Sequence, residues 1–472
     1  MSVGPALRSL VQIHDTLWDE ASDLMLVPAG TTPGLDLGAL GLHTVRESAL
    51  GAYLDLRHGR TDRAGAALSG VVALQYHAPG EPWDGTFPVT AEQPVPPDDA
   101  IEWLHYDPNW RQFLGTILLV TLFDFAGDLD DLLIEQMWAA VVRCAAGEPV
   151  DRIPDWYTNP NLLHAWVEAH AGRHFGDAAM VERGVARARR SMERLAATGD
   201  VDEYNSPTYD GVDLLAAALW TTFPPAEELA AWGPELARVL VSRISTLFDP
   251  DLMAVCGPYS RAYGVGLDRY VSLLGIWLAA AGADGVLPTE LNTDTDHVHD
   301  LFFLPLVERL AGAVDKGWNL RPVDAPRRHV QQIGEVTATS VLRPGCAVGW
   351  ADGPVPAFAN DQYTPFTMHT SDGQVAVDIA ARPVPGCARI DARQTGDDQY
   401  ELTVRGGLTW CCSGQPTVED DGLVLGPVRV GWTGHTGHEV SVTAHGGVTV
   451  VVHGDDVVHT VDCVTSLGVE HI

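Results

Sequence analysis

The spacing of apolar residues changes character once along this chain, near residue 320, and that change restricts the fold to a helical domain followed by a β domain. Before it, amphipathic stretches of roughly 14 to 20 residues follow one another, separated by short Gly, Pro or Asp-rich breaks. Examples are TVRESALGAYLDLRHG, NWRQFLGTILLVTLF, LDDLLIEQMWAAVVRCAAG, NPNLLHAWVEAHAGRHFG and AAMVERGVARARRSMERLAATG. Stretches such as LLAAALWTTF and LLGIWLAAAG are apolar on more than one side, which suits an inner helix held between layers. No fixed repeat period is visible, so ten or more helices in antiparallel pairs point to a closed α/α toroid rather than a tetratricopeptide-like array. After the change, short alternating runs such as EVTATSVLRPG, QVAVDIAARP, YELTVRGGLTWCC and VTVVVHGDD are broken by Gly, Asp and Pro turns. They predict an antiparallel β-sandwich of about 8 to 12 strands. The expected division is a toroid over 1–314, a linker over 315–329 and a sandwich over 330–472.

Length and charge narrow the function. The 472 residues, 46% of them hydrophobic, suffice for two large cores, while the net charge of -34 opposes a nucleic acid or an anionic membrane surface as partner. The run GTILLVTLFDFAG is interrupted by Asp124 and is too short to span a bilayer. The first residues lack a cationic segment followed by an apolar core and a cleavage site, so a cytoplasmic location is expected. Seven cysteines without a paired CxxC spacing indicate neither a zinc ribbon nor a disulfide framework. No cofactor is expected, and oligomeric state is not readable.

Five polar motifs and one acidic, histidine-containing cluster stand out. In EYNSPTYDGVD (203–213), Asn205 or Ser206 predicts a helix N-cap and Pro207 a first helical position. Capping leaves Glu203, Tyr204 and Tyr209 over as candidates for chemistry. GPYSRAYG (257–264) flanks Arg261 with Tyr259 and Tyr263, with an ordinary loop and a salt bridge to Asp268 as the structural alternative. WLHYDPNWRQFLG (103–115) offers His105, Asp107, Trp110 and Arg111 at a helix start, where capping explains part of the pattern. YTNPNLLHAW (157–166) supplies Asn159 and His164, and HTSDG (369–373) supplies His369. Trp83 and Trp110 are candidate stacking platforms for a pyranose, weighed against burial in the core. The cluster TDTDHVHD (293–300) holds metal-capable side chains, but a helix would align only Asp296, His299 and Asp300 and acidic residues also open ordinary helices, so no metal is assigned.

A toroid followed by an antiparallel sandwich, with YTNPNLLHAW, EYNSPTY, GPYSRAYG and HTSDG, resembles polysaccharide lyases of the heparinase, chondroitinase and alginate lyase type. The resemblance implies a carbohydrate substrate and β-elimination beside a uronate carboxylate. It further implies that an Asn or Gln neutralises that carboxylate while Tyr and His move protons. Asn205, Tyr209, Tyr259, Arg261 and His369 supply the catalytic residue types. Trp83, His105, Asp107, Trp110, Arg111, Asn159, His164, Glu203, Tyr204 and Tyr263 supply candidate substrate contacts. The chemistry requires such a set, because removing the C5 proton builds charge on the carboxylate and calls for preorganised donors. A phenol acts as base only where positive charge lowers its pKa from about 10. The first alternative is a glycoside hydrolase using Asp107 with Glu203 or Asp202. The second is a sugar-binding or scaffold protein without activity, which a cavity filled by apolar side chains would favour.

Overall fold

The computed structural model describes residues 3–31, 37–314, 317–356, 362–371, 376–442 and 448–463. Asp372 and Gly373 of the HTSDG motif, Asp315 and Lys316 of the expected linker, and residues 464–472 of the expected sandwich lie outside the described residues.

Eleven α-helices occur among the described residues: α1 (Gly4–Leu17), α2 (Arg46–Arg57), α3 (Thr61–Ala73), α4 (Trp110–Phe125), α5 (Asp131–Ala146), α6 (Thr158–Phe175), α7 (Ala178–Thr198), α8 (Asp210–Thr222), α9 (Glu227–Leu247), α10 (Leu273–Ala280) and α11 (Leu304–Leu310). Helices α2 and α3, α4 and α5, α6 and α7, and α8 and α9 pack as consecutive pairs, and the first members adjoin one another in the order α2, α4, α6, α8, α10. A 3₁₀ segment, Val298–Phe303, touches both α10 and α2 and so closes the ring. The two layers differ in composition for a packing reason. In α6 and α8 nearly every side chain is buried, Asn and Asp included, whereas α7 buries only a stripe of Met180, Gly184, Val185, Ala188, Met192 and Leu195. Gly184 lets α7 approach α6, since a Cβ there would meet the Ala165 carbonyl oxygen at 2.7 Å. The Asp177 side chain caps α7 through the Ala179 and Met180 amides, and Gly199 closes it at φ 81°.

Two small sheets decorate the toroid: β1 (Trp18–Asp19), β2 (Leu24–Leu26) and β3 (His43–Thr44), and the hairpin β4 (Phe248–Asp249) with β5 (Ala254–Val255). The C-terminal region is antiparallel throughout. It comprises β6 (Arg327–Ile333), β7 (Val336–Arg343), β8 (Cys346–Pro354), β9 (Phe366–Ser371), β10 (Ala376–Pro383), β11 (Arg389–Gly396), β12 (Gln399–Cys412), β13 (Thr417–Glu419), β14 (Gly422–Leu425), β15 (Val428–Thr433), β16 (Gly437–Val442) and β17 (Val448–Cys463). The strand order is β13-β14-β15-β17-β12-β10-β9-β8-β7-β6. The long strands β12 and β17 serve both layers of the sandwich. The first half of β12 pairs with β11 and the second with β10, and the register shifts between Val404 and Gly406, where a bulge lets the strand turn. Trp410, Trp432, Phe366, Leu402 and Val450 fill the space between the layers.

The sheet meets the toroid along residues 257–262. Tyr259 exchanges backbone hydrogen bonds with Thr364, and the Gly257 amide donates to the Thr367 hydroxyl at 3.1 Å. Gly349 permits this contact, because a Cβ there would fall 1.9 Å from the Gly257 carbonyl oxygen. The sheet thus backs the loop that carries Arg261.

Candidate active site

A cleft of about 500 Å³ opens at one end of the toroid. Its walls include Arg46, Asn109 and Trp110, Tyr157 and Asn159, Tyr209 and Val212, and Leu273. These residues stand at or next to the first turns of α2, α4, α6, α8 and α10. Five helix N-termini therefore converge on one cleft, each directing the positive end of its dipole toward it. Arg46 and Arg261 add two guanidinium groups, and Asp107 and Asp300 add two carboxyl groups.

Arg261 organises one wall. Its Nη1 donates to Glu203 Oε1 at 3.0 Å, its Nη2 to the Tyr209 hydroxyl at 2.9 Å and its Nε to Gln362 Oε1 at 3.2 Å. Tyr209 in turn meets the Tyr263 hydroxyl at 3.1 Å. The Glu203 carboxylate is fully buried, and its other oxygen accepts the Asn159 backbone amide at 2.9 Å and the Asn159 side-chain amide at 2.8 Å. Burial pulls the Arg261 pKa down, but Tyr209 and Glu203 more than offset it, so the group is held firmly cationic. Burial also raises the Tyr209 phenol well above its usual value and pushes Tyr157 up to about 12, which keeps both protonated near neutrality. Asp107 is raised to about 6, again by burial.

Across the cleft, Arg46 lies over the rings of Trp110, Phe113 and Phe303 at 5.6 to 5.8 Å from their centroids. Its nearest acid is Glu47 at 2.5 Å. Trp103 and Trp156 also line the opening. Arg46, Trp103, Trp156, Tyr157 and Gln362 were not among the residues expected from sequence. Arg46 and Tyr157 did carry a signal, since each precedes or opens an apolar helix of the inner ring.

Of the expected residues, Tyr209, Arg261, Tyr263, Asp107, Trp110 and Asn159 line the cleft, and Glu203 lies directly behind it. The others are elsewhere. Asn205 has φ 52° and does not cap a helix: α8 begins at Asp210, after a turn in which the Ser206 hydroxyl accepts the Tyr209 amide. The Asn205 side-chain amide is spent on the carbonyls of Cys256 and Pro258 at 2.8 and 2.9 Å. Tyr204 is buried next to that turn. Tyr259 and His369 do meet, at 3.0 Å, but inside the domain interface: His369 also contacts Asp378 at 2.8 Å, and Asp378 pairs with Arg269 at 3.0 Å. Burial removes both from the cleft, although both were expected among the catalytic residues. Arg111 is fully buried and binds the carbonyls of Pro82, Asp84 and Pro108. His105 accepts the Ile101 amide in a surface turn, and Trp83 packs with Tyr76 and Tyr106. His164 is buried beside Gln112, and burial pushes its pKa down to about 3. Asp202 pairs with Arg194 outside the cleft.

No helix among the described residues is long and apolar enough to cross a membrane. No curated protein sequence matches the chain. Solved structures similar to it include a heparinase III, at 10% identity and a TM-score of 0.32 over 89% of this chain and 77% of that one. Another is Streptomyces avermitilis alpha-L-rhamnosidase complexed with L-rhamnose, at 12% identity and a TM-score of 0.35 over 97% of this chain; the chain spans only 41% of that protein. Neither likeness bears on the activity of this chain. Residues 7–312, the toroid that carries most of the cleft, match one family model, and the chain accordingly belongs to the family described as Domain of unknown function (DUF8769).

Proposed function

We propose that the chain is a carbohydrate-active enzyme that cleaves a uronate-containing oligo- or polysaccharide by β-elimination in this cleft. The observation that carries the reading is the convergence of five helix N-termini on a cleft lined by Arg261, whose charge is fixed by Glu203 and whose guanidinium holds the Tyr209 hydroxyl. Such an end of a helical ring suits an anion, and the charge that develops on a uronate carboxylate during proton removal is the charge these donors stabilise. Three N–H groups of Arg261 are held by Glu203, Tyr209 and Gln362, and Tyr157 is a further partner of the guanidinium, so a substrate carboxylate would share it with the two phenols.

In this reading Arg261 binds the carboxylate. Asp107, raised to about 6, is ionised at neutral pH and serves as the base for the C5 proton. Tyr209, kept protonated by burial, donates to the leaving glycosidic oxygen. Trp103, Trp110 and Trp156 offer flat apolar faces to neighbouring sugar rings. The hydrolytic alternative loses its expected partners, since Glu203 is buried under Arg261 and Asp202 is outside. A hydrolase would have to pair Asp107 with Asp300, the two carboxyl groups that do line the cleft.

The test follows two signals over a panel of uronate-containing oligosaccharides: ultraviolet absorbance of the new C=C bond conjugated to the carboxylate, and release of reducing ends. Both signals rising together, and both lost in Arg261→Ala, support elimination. Reducing ends without absorbance would sink elimination and point to Asp107 with Asp300.

A further inference from the structure

We propose that His297, His299 and Asp300 bind one divalent transition-metal cation, Zn²⁺ by the chemistry of the donors, in the cleft wall beside Tyr263. One ring nitrogen of each histidine and one carboxylate oxygen of Asp300 lie within 4.8 Å of one another. Two imidazoles and a carboxylate form a donor set that zinc takes with an open fourth position. The backbone creates the cluster: His297 sits at φ 54° and the chain then enters the 3₁₀ segment Val298–Phe303, so His297 joins His299 and Asp300 instead of Asp296. A regular helix would have separated them.

A second observation points the same way. The Nδ1 atoms of both His297 and His299 are buried and have no hydrogen-bond partner. A buried imidazole nitrogen without a partner is costly, and coordination at this cluster would repay it where no protein group does. The rings are also held in place. Tyr263 stacks on His297 with centroids 4.6 Å apart, and Tyr270 meets it edge-on at 5.8 Å.

Arg46 is the group that opposes a cation here, 3.7 Å from Asp300, but its shorter contact is to Glu47 at 2.5 Å. Ligands around bound zinc stand closer together, on the order of 3.4 Å for bonds of about 2.1 Å, so binding requires the side chains to rotate inward. His299 and Asp300 already face the cleft. The open position is therefore available to a substrate oxygen, across from Arg261.

The proposal does not depend on β-elimination, because binding is measured directly. Full-length protein stripped with a chelator is titrated with Zn²⁺ by calorimetry and with Co²⁺ by visible absorbance. The expected result is one saturable site, intense tetrahedral Co²⁺ bands without thiolate charge transfer, and at least about tenfold weaker binding in each of His297→Ala and His299→Ala. Absence of saturable binding overturns the proposal. So do weak octahedral bands, thiolate bands from a cysteine site, or equal affinity in both variants. Should one variant fail to fold, the affinity of the other decides whether the cluster holds the ion.

Discussion

Arg261 and Glu203 form a buried ion pair, Nη1 to Oε1 at 3.0 Å, that joins the loop backed by the sheet to the approach of α8. Removing one partner strands the other charge in a dry environment, which costs about 3 to 5 kcal/mol. Arg261→Ala should therefore lower stability by that amount, and Arg261→Ala with Glu203→Gln should recover a large part of it. Activity should be lost in both. Denaturant melts of the single and double variants, read beside turnover, separate the structural share of the pair from its share in binding.

The Asp107 carboxyl, raised to about 6 by burial, supplies a pH dependence. A base must be ionised, so kcat/KM should rise with pH and level off above about 6, with a limb of unit slope below it. Asp107→Asn should abolish the reaction while leaving the thermal midpoint nearly unchanged. A limb that persists in the residual activity of that variant would assign the titration to another group.

Asn205 is expected to be structural. Losing its two hydrogen bonds to the Cys256 and Pro258 carbonyls should cost roughly 1 to 3 kcal/mol in Asn205→Ala. The kcat of the folded fraction should remain within a few-fold of the parent. A large fall in kcat with unchanged stability would return Asn205 to the reaction.

Asp213 lies on α8 fully buried, and neither carboxyl oxygen has a hydrogen-bond partner. Burial first and Glu203 second raise its pKa well above the usual carboxylate value. With the folded pKa raised, the native state binds a proton that the unfolded chain releases above about 3.9, so the stability this group contributes is present in acid and lost as pH rises. The loss is about 1.4 kcal/mol per pH unit while the group stays protonated. Asp213→Asn should flatten that slope, and its thermal midpoint should gain on the parent between pH 5 and pH 8.

Much of this protein was legible in local sequence. The inner helices announce themselves because burial on every side removes the polar stripe, as in LLAAALWTT, and the outer ones because burial on one side keeps it, as in α7. The strands of the sandwich follow from alternation for the same reason. Asp107, Trp110, Asn159, Tyr209, Arg261 and Tyr263, singled out because polar residues there exceed what a cap or a turn needs, line the candidate cleft, and their part in a reaction is what the variants above test.

Ring closure assigned the remaining roles, and no local pattern carries it. Asn205 and Tyr209 belong to one polar motif, yet one holds two carbonyls in the interior and the other faces the cleft, since the turn before α8 sends successive side chains in different directions. His369 was expected among the catalytic residues, yet the packing of the sheet on residues 257–262 buries it against Tyr259. Arg46 and His299, about 250 residues apart in the chain, share a wall only because the 3₁₀ segment packs on α2. Residue types and periodicity report what each segment buries; which side chains face one another is set by contacts between segments distant in sequence, and those arise from the packing of the whole ring.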